Sequence, residues 1–211
     1  MEDLHSALQS GLTQKEYSHE YFSTFVKYPK LVENYELAQI VPREEGAKIN
    51  VTLLIGDAGT GKSKYASVLA RGLGHGVPYR PSLGQWWDGY RGERAVVFDD
   101  FRGSSLSVTQ YKLVLDEYPL RVAVKGTSCN LAATDFYITT NVNPLDWWSE
   151  GICARERLAI TRRITRILYF EELGKFYEFR DYDHFASLIL TPLRDGIFRP
   201  ALPPVQEIVY N

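Results

Sequence analysis

Val51-Thr52-Leu53-Leu54-Ile55 runs directly into Gly56-Asp57-Ala58-Gly59-Thr60-Gly61-Lys62-Ser63, and that loop into Lys64-Tyr65-Ala66-Ser67-Val68-Leu69-Ala70. A short, nearly continuous apolar run is what a parallel strand buried on both faces requires. The stretch after Ser63 has helix-forming character until Gly72. Between the two stands the spacing Gly-x4-Gly-Lys-Ser. Its glycines let successive backbone N–H groups turn inward around phosphate oxygens, and the following helix N-terminus adds positive potential. In such a loop Lys62 supplies a point charge to the β- and γ-phosphates, and Ser63 places a hydroxyl on Mg²⁺. Strand, glycine loop and helix in this order predict a triphosphate cradle over residues 56–63, with ATP and Mg²⁺ as its cofactors.

Downstream, Ala95-Val96-Val97-Phe98 reads as a second buried strand that ends in Asp99-Asp100. Ligand chemistry in open α/β sheets gathers at the carboxyl ends of strands. Two adjacent acids there suit a Mg²⁺ partner, Asp99, and a water-orienting base, Asp100. Phe136-Tyr137-Ile138-Thr139 is a third apolar strand, ending at Thr140-Asn141. Asn141 is placed either to hold an attacking water or sense a γ-phosphate, or simply to cap the strand. Strands alternating with helices imply an α/β fold whose mainly parallel sheet is covered on both faces.

The rest of the chain frames this unit. Residues 1–45 read as a compact helical region, with Leu4, Leu8 and Leu12, then Tyr21, Phe22, Phe25 and Val26, at helical steps. These helices are too few to bury a good core alone, so they are expected to pack on neighbouring elements or on copies of themselves. Pro42-Arg43-Glu44-Glu45-Gly46 is a polar break and a domain boundary. Residues 46–172 form the main domain and residues 173–211 a C-terminal extension, extended after Pro192. A helix is expected over 106–117, closed by Pro119. After it, Leu120 to Val124 and Ser128 to Ala132 flank Lys125-Gly126-Thr127 as a hairpin.

Bulk properties narrow the class. The chain has 211 residues, 45% of them hydrophobic, and a net charge of −2. Global disorder is thereby excluded. Any nucleic-acid contact must come from a local basic feature, because the whole surface is not a positive field. The two cysteines, Cys129 and Cys153, belong to no CxxC or His/Cys cluster. They read as inert core residues in a reducing compartment, without zinc site or disulfide framework. No signal peptide and no 18-residue apolar run is apparent, so the reading is of a soluble intracellular protein with no membrane partner.

These pieces together resemble superfamily 3 helicases, specifically the helicase half of Rep proteins from circoviruses and related circular single-stranded DNA viruses. The resemblance is carried by residues 56–63, Trp86-Trp87-Asp88-Gly89-Tyr90, Val97-Phe98-Asp99-Asp100-Phe101, Tyr118-Pro119-Leu120, Val124-Lys125-Gly126, Ile138-Thr139-Thr140-Asn141 and Arg162-Arg163-Ile164, in order from about residue 50 to 170. It implies an AAA+-type fold in a homo-oligomeric, hexameric ring that moves along single-stranded DNA with ATP in the host nucleus. Residues 1–45 would be the oligomerisation collar. Lys125, Gly126 and Thr127 would form the hairpin that points into the pore and grips backbone phosphate. An arginine just before the late strand Ile167-Leu168-Tyr169-Phe170 would reach the neighbour's γ-phosphate; Arg163 is the choice and Arg162 the second.

One departure and several alternatives qualify the expectation. Rep proteins of this group carry a His-hydrophobic-His metal motif and a catalytic tyrosine before the helicase; His5 and His19 are isolated here, so no nicking activity is expected of this chain. RNA in place of DNA, a P-loop ATPase that remodels protein, and a nucleotide-dependent assembly module are the competing classes. Trp86, Trp87 and Tyr90 are expected as packing anchors rather than base-stacking platforms.

Overall fold

The computed structural model describes residues 2–82, 85–148, 154–191 and 202–208. It begins with four short helices, α1 (Glu2–Gln9), α2 (Gln14–Glu20), α3 (Phe22–Lys27) and α4 (Leu31–Gln39). Helix α2 starts at a capping box in which Thr13 and Glu16 satisfy each other's backbone N–H groups. Leu4, Leu12, Tyr17 and Val32 bury a small cluster of their own. Leu37 and Ile40, at the end of α4, instead enter the main core. The expected helical region is thus half self-contained and half docked on the body.

The central unit follows as β1 (Asn50–Gly56), α5 (Lys62–Gly72), β2 (Ala95–Phe98), α6 (Val108–Val114), the β3–β4 hairpin (Arg121–Val124 and Thr127–Asn130) and β5 (Asp135–Thr140). Then come α7 (Ala154–Thr161), β6 (Arg166–Glu172), β7 (Lys175–Phe179), α8 (Tyr182–Phe185) and β8 (Val205–Glu207). Among the described residues these strands form a six-stranded sheet in the order β2-β5-β1-β6-β7-β8, with the hairpin as a separate two-stranded sheet. The first four of that order run parallel; β7 is antiparallel to β6, and β8 antiparallel to β7. The sheet is therefore mixed and mostly parallel.

Alternation along the strands divides the core between two faces. Leu53, Ile55, Val96, Phe98, Phe136 and Ile138 face the cluster that also takes in α6 and the hairpin. Leu54, Val97, Tyr137 and Leu168 face the opposite cluster, where α5 lies close to the sheet through its small Ala66 and Ala70. Both faces are covered, as the unbroken apolar runs require. Because β1, β2 and β5 are parallel neighbours, with Ile55 beside Thr140 and Phe98 beside Ile138, the chain leaves all three at one end of the sheet.

Three expected boundaries can be placed on the fold. The 42–46 segment, read as a polar break and a domain boundary, is anchored to the body through Arg43. Arg43 is only 2% exposed, and its guanidinium donates to the carbonyls of Leu113, Val114, Tyr118 and Ala133. Two of those acceptors lie at the end of α6, where a cation offsets the negative helix terminus. The expected division at residue 172 falls in the turn between β6 and β7. Phe176, Phe179, Phe185 and Ile189 of the expected extension belong to the two main core clusters. Helix α6 is also shorter than expected, starting at a Ser107–Gln110 capping box. Of the tail after Pro192, residues 192–201 lie outside the described residues.

Candidate functional site

At the end of β1 the chain turns within van der Waals reach of β6. A Cβ on Gly56 would stand 2.1 Å from the carbonyl oxygen of Phe170, so no side chain fits there. Gly61, with φ of 90°, sits in the left-handed region as the N-cap of α5, a conformation that glycine adopts without steric cost. These two glycines fix the entry to and exit from the loop. Thr60 closes it by donating to the Asp57 carbonyl at 2.9 Å. The Lys62 ammonium is buried against the same loop and donates to the carbonyls of Gly56 (2.8 Å) and Asp57 (2.5 Å). Burial lowers its pKa, against the opposing fields of Asp57, Asp100 and Asp99.

Asp99 joins this loop to the neighbouring strands. Its Oδ1 accepts from Ser63 Oγ and from Thr139 Oγ1, each at 2.6 Å. Its Oδ2 accepts from Arg80 Nη1 at 3.0 Å, while Arg80 Nη2 donates to Ser67 Oγ on α5. Burial alone would push the Asp99 pKa up; the hydrogen bonds from Ser63 and Thr139 and the charge of Arg80 outweigh it and hold the carboxyl below its ordinary value. Asp100 has φ of 47°, the left-handed region that Asp tolerates better than most residues. Its N–H donates to Thr139 Oγ1 and its carboxylate pairs with Arg102. Asn141 is exposed, one residue beyond β5.

The loop, Asp99, Asp100 and Asn141 thus come from three adjacent strand ends. Arg80 and Thr139 were missed. Thr139 left a trace, because two threonines close a strand that is otherwise apolar. Arg80 left none: it reaches Asp99 because Tyr79 bridges to Val96 along the edge of β2. Mg²⁺ commonly binds one or two protein oxygens and fills its remaining positions with water and phosphate oxygens. The Ser63–Asp99 oxygen pair fits that pattern. Among the described residues, no group of three or more His, Cys, Asp or Glu stands ready to hold a metal by itself.

The hairpin tip is the second feature. Lys125 is 69% exposed at its side chain, and Asp88 grips it twice. Asp88 Oδ1 accepts from Lys125 N–H at 2.8 Å, and Oδ2 lies 3.2 Å from Nζ. Lys30 Nζ, from the start of α4, donates to the Lys125 carbonyl at 3.2 Å. Gly126 carries the turn with φ of 91°, and Thr127 already belongs to β4, paired with Val124. Trp87 and Tyr90 are buried and packed on Tyr79, which makes them anchors; Trp86 is 38% exposed. Cys129 is buried and its thiol pKa is raised by that burial. Cys153 lies outside the described residues.

The paired arginines part company. Arg163 turns its guanidinium inward, donating to the Ala159 carbonyl (2.7 Å), the Lys112 carbonyl (3.3 Å) and Asp116 (2.7 Å). Its side chain is 10% exposed. Arg162 is exposed and borders a groove of about 350 Å³ with Lys48, Asp116 and Glu117. Both precede β6 at the amino end of the sheet, where Thr165 N–H donates to Val51. The loop of residues 56–63 lies at the other end of β1, roughly 20 Å away at about 3.3 Å per residue.

Residues 52–142, which span from β1 to the end of β5, match the family model described as RNA helicase. The chain is a homologue of the replication-associated proteins of circoviruses. It is 36% identical to that of goose circovirus over 167 residues, 79% of this chain and 54% of the relative. It is 30% identical to that of canary circovirus over 168 residues (80% and 55%) and 38% identical to that of porcine circovirus 2 over 125 residues (59% and 38%). The chain spans about half the length of the curated relatives it matches. Among the described residues no helix is long and apolar enough to cross a membrane.

Proposed function

We propose that this chain is an ATP-driven helicase motor of the AAA+ class, which moves on single-stranded nucleic acid during replication of a viral genome. The observation that carries this reading is the 2.6 Å contact between Ser63 of the loop and Asp99 of β2. It joins a phosphate cradle to an acidic strand end across an intervening strand, β5, whose own end presents Asn141. Insertion of that third strand between the two supports the AAA+ assignment over a bare glycine turn.

In this reading the backbone of residues 56–63 and the Lys62 ammonium bind the triphosphate. Ser63 and Asp99 hold Mg²⁺, which offsets charge on the phosphates when bound. Asp100 orients the attacking water and takes its proton, and Asn141 positions that water from the next strand end. Lys125, with Gly126 and Thr127 shaping the turn, grips a backbone phosphate. Arg162 completes the site of an adjacent subunit. It lies too far from its own loop to act there, and it has a free approach that the inward-turned Arg163 lacks. Exposed Phe22, Val26 and Tyr28, at 65%, 63% and 61%, support residues 1–45 as the collar of a hexameric ring. The host nucleus is the compartment that the family resemblance suggests.

DNA is favoured by the circovirus relatives; the match to an RNA helicase model favours RNA as a second reading. Phosphate release by the purified chain, measured alone, with oligothymidylate and with oligouridylate, tests both. Stimulation by the DNA strand is expected. Stimulation by RNA alone moves the substrate to the second reading, and hydrolysis indifferent to either strand removes the helicase reading.

A further inference from the structure

Lys30 breaks a local rule. It is the N-cap of α4 and makes no side-chain capping bond there. A helix start favours Ser, Thr, Asp or Asn and disfavours a cation, because the unsatisfied N–H groups carry positive potential. Helix stability therefore does not explain a lysine at this position. Its ammonium instead crosses to the hairpin and donates to the Lys125 carbonyl, 95 residues away in the chain. It passes over the turn closely enough that a Cβ on Gly126 would lie 3.9 Å from Nζ.

Two ammonium groups thus converge on one exposed turn, with the carboxylate of Asp88 set against them. Asp88 offers its two oxygens to the N–H and the Nζ of Lys125, much as two oxygens of a phosphate would. Exposed ion pairs contribute little to stability, so such a contact yields readily to a competing anion. Rule-breaking residues that gain nothing locally are expected where function is served.

We propose that Lys30 is a second nucleic-acid ligand at the hairpin tip, taking a phosphate of the strand that Lys125 grips, and that Asp88 is the acid this strand displaces. The inference rests on the reading of Lys125 as a nucleic-acid contact. It extends the binding surface from the hairpin to the helical N-terminal region, so that one strand ties the two together.

The test is the salt dependence of oligothymidylate binding by the full chain, followed by fluorescence anisotropy. Each phosphate contact to a single strand contributes about −0.7 to the slope of log K against log salt. Lys30→Gln keeps an N–H for the Lys125 carbonyl but has no charge, so it separates a ligand from a tether. The slope is expected to become shallower by about 0.7 in Lys30→Gln and in Lys125→Ala, and to be preserved in Lys30→Arg. Asp88→Asn, which keeps an acceptor for the Lys125 N–H, is expected to bind several-fold tighter. An unchanged slope in Lys30→Gln beside a shallower one in Lys125→Ala makes Lys30 a tether and overturns the inference alone. Unchanged slopes in both variants overturn the hairpin reading itself. Unchanged or weaker binding by Asp88→Asn removes Asp88 as the displaced acid.

Discussion

At the carboxyl end of the sheet Asp99 receives hydrogen bonds from Ser63, Thr139 and Arg80, from three different parts of the chain. At the tip of the β3–β4 hairpin Lys125 is held by Asp88 and Lys30 in open solvent. The first arrangement is set by strand register and by a core on both faces; shifting it requires moving strands. The second is set by exposed charges and a two-residue turn, and changing it requires no movement of the main sheet. A site that must place a water against a phosphate benefits from the first kind of construction. A site that must take and release a strand repeatedly benefits from the second.

This division breaks most visibly if the chemistry at the sheet end needs a residue that the subunit does not itself bring there. Arg162→Ala is expected to lower ATP hydrolysis by about 10³–10⁵, the range found for arginine fingers, with an unchanged melting temperature. Mixing it with Lys62→Ala is expected to restore part of the activity, since some interfaces then pair an intact loop with an intact arginine. Arg163→Ala is expected to act differently, by lowering the melting temperature, because three internal hydrogen bonds are lost. Activity lost in Arg163→Ala at full thermal stability, with Arg162→Ala active, would return the finger to Arg163.

Within the subunit, Asp100→Asn is the sharper probe. General-base contributions run at about 10²–10⁴, so single-turnover hydrolysis should fall by ~10² or more while nucleotide titration stays near normal. Near-wild-type hydrolysis would show that the carboxylate paired with Arg102 is a surface group. Asp99→Asn is expected to weaken Mg²⁺-dependent nucleotide binding instead, which a titration at varied Mg²⁺ separates.

The sequence made the sheet end legible because its information is local. Gly56 to Ser63 is contiguous, and Asp99-Asp100 and Asn141 each follow an apolar run whose end is visible by eye. The partners that fix those residues were not legible. Arg80 meets Asp99 through an edge bridge at Tyr79, and no spacing announces that contact. The hairpin was legible from Lys125-Gly126 between two strand-like runs, but its Asp88 clasp comes from a motif expected to pack through its aromatics. Arg43 was opaque for a different reason. A charged residue after proline, before Glu-Glu-Gly, has the composition of a linker, and only the positions of four carbonyls turn it into a buried one. The β6–β7 turn was passed over because the family resemblance ended near it, although Lys175-Phe176-Tyr177-Glu178-Phe179 is the aromatic-rich run typical of a strand.

Arg43 gives the stability side of the comparison its largest effect. Removing a guanidinium that satisfies four carbonyls leaves buried acceptors without partners, which costs about 2–4 kcal/mol. In a chain of this size that lowers Tm by roughly 5–15 °C. Differential scanning calorimetry of Arg43→Ala is the direct measurement. A shift below a few degrees would mean that water replaces the guanidinium and that the 42–46 segment is the loose boundary its composition suggests.

The smallest effect is expected at the hairpin, and its smallness is what the comparison requires. The Lys125–Asp88 pair is exposed at 69% and 35% of its side chains, and pairs of that kind contribute about 0–1 kcal/mol. Lys125→Ala should therefore change Tm by no more than ~4 °C. The same substitution is expected to weaken single-strand binding at low salt and to reduce strand-stimulated hydrolysis toward the basal rate, leaving the basal rate itself intact. A variant that melts early would show that the tip is part of the structural frame, and its binding loss would then say nothing about phosphate contact. A variant that melts normally and binds weakly would locate the grip in a side chain that the fold does not need. A melting temperature and a binding curve, taken on the same preparation, separate these two cases.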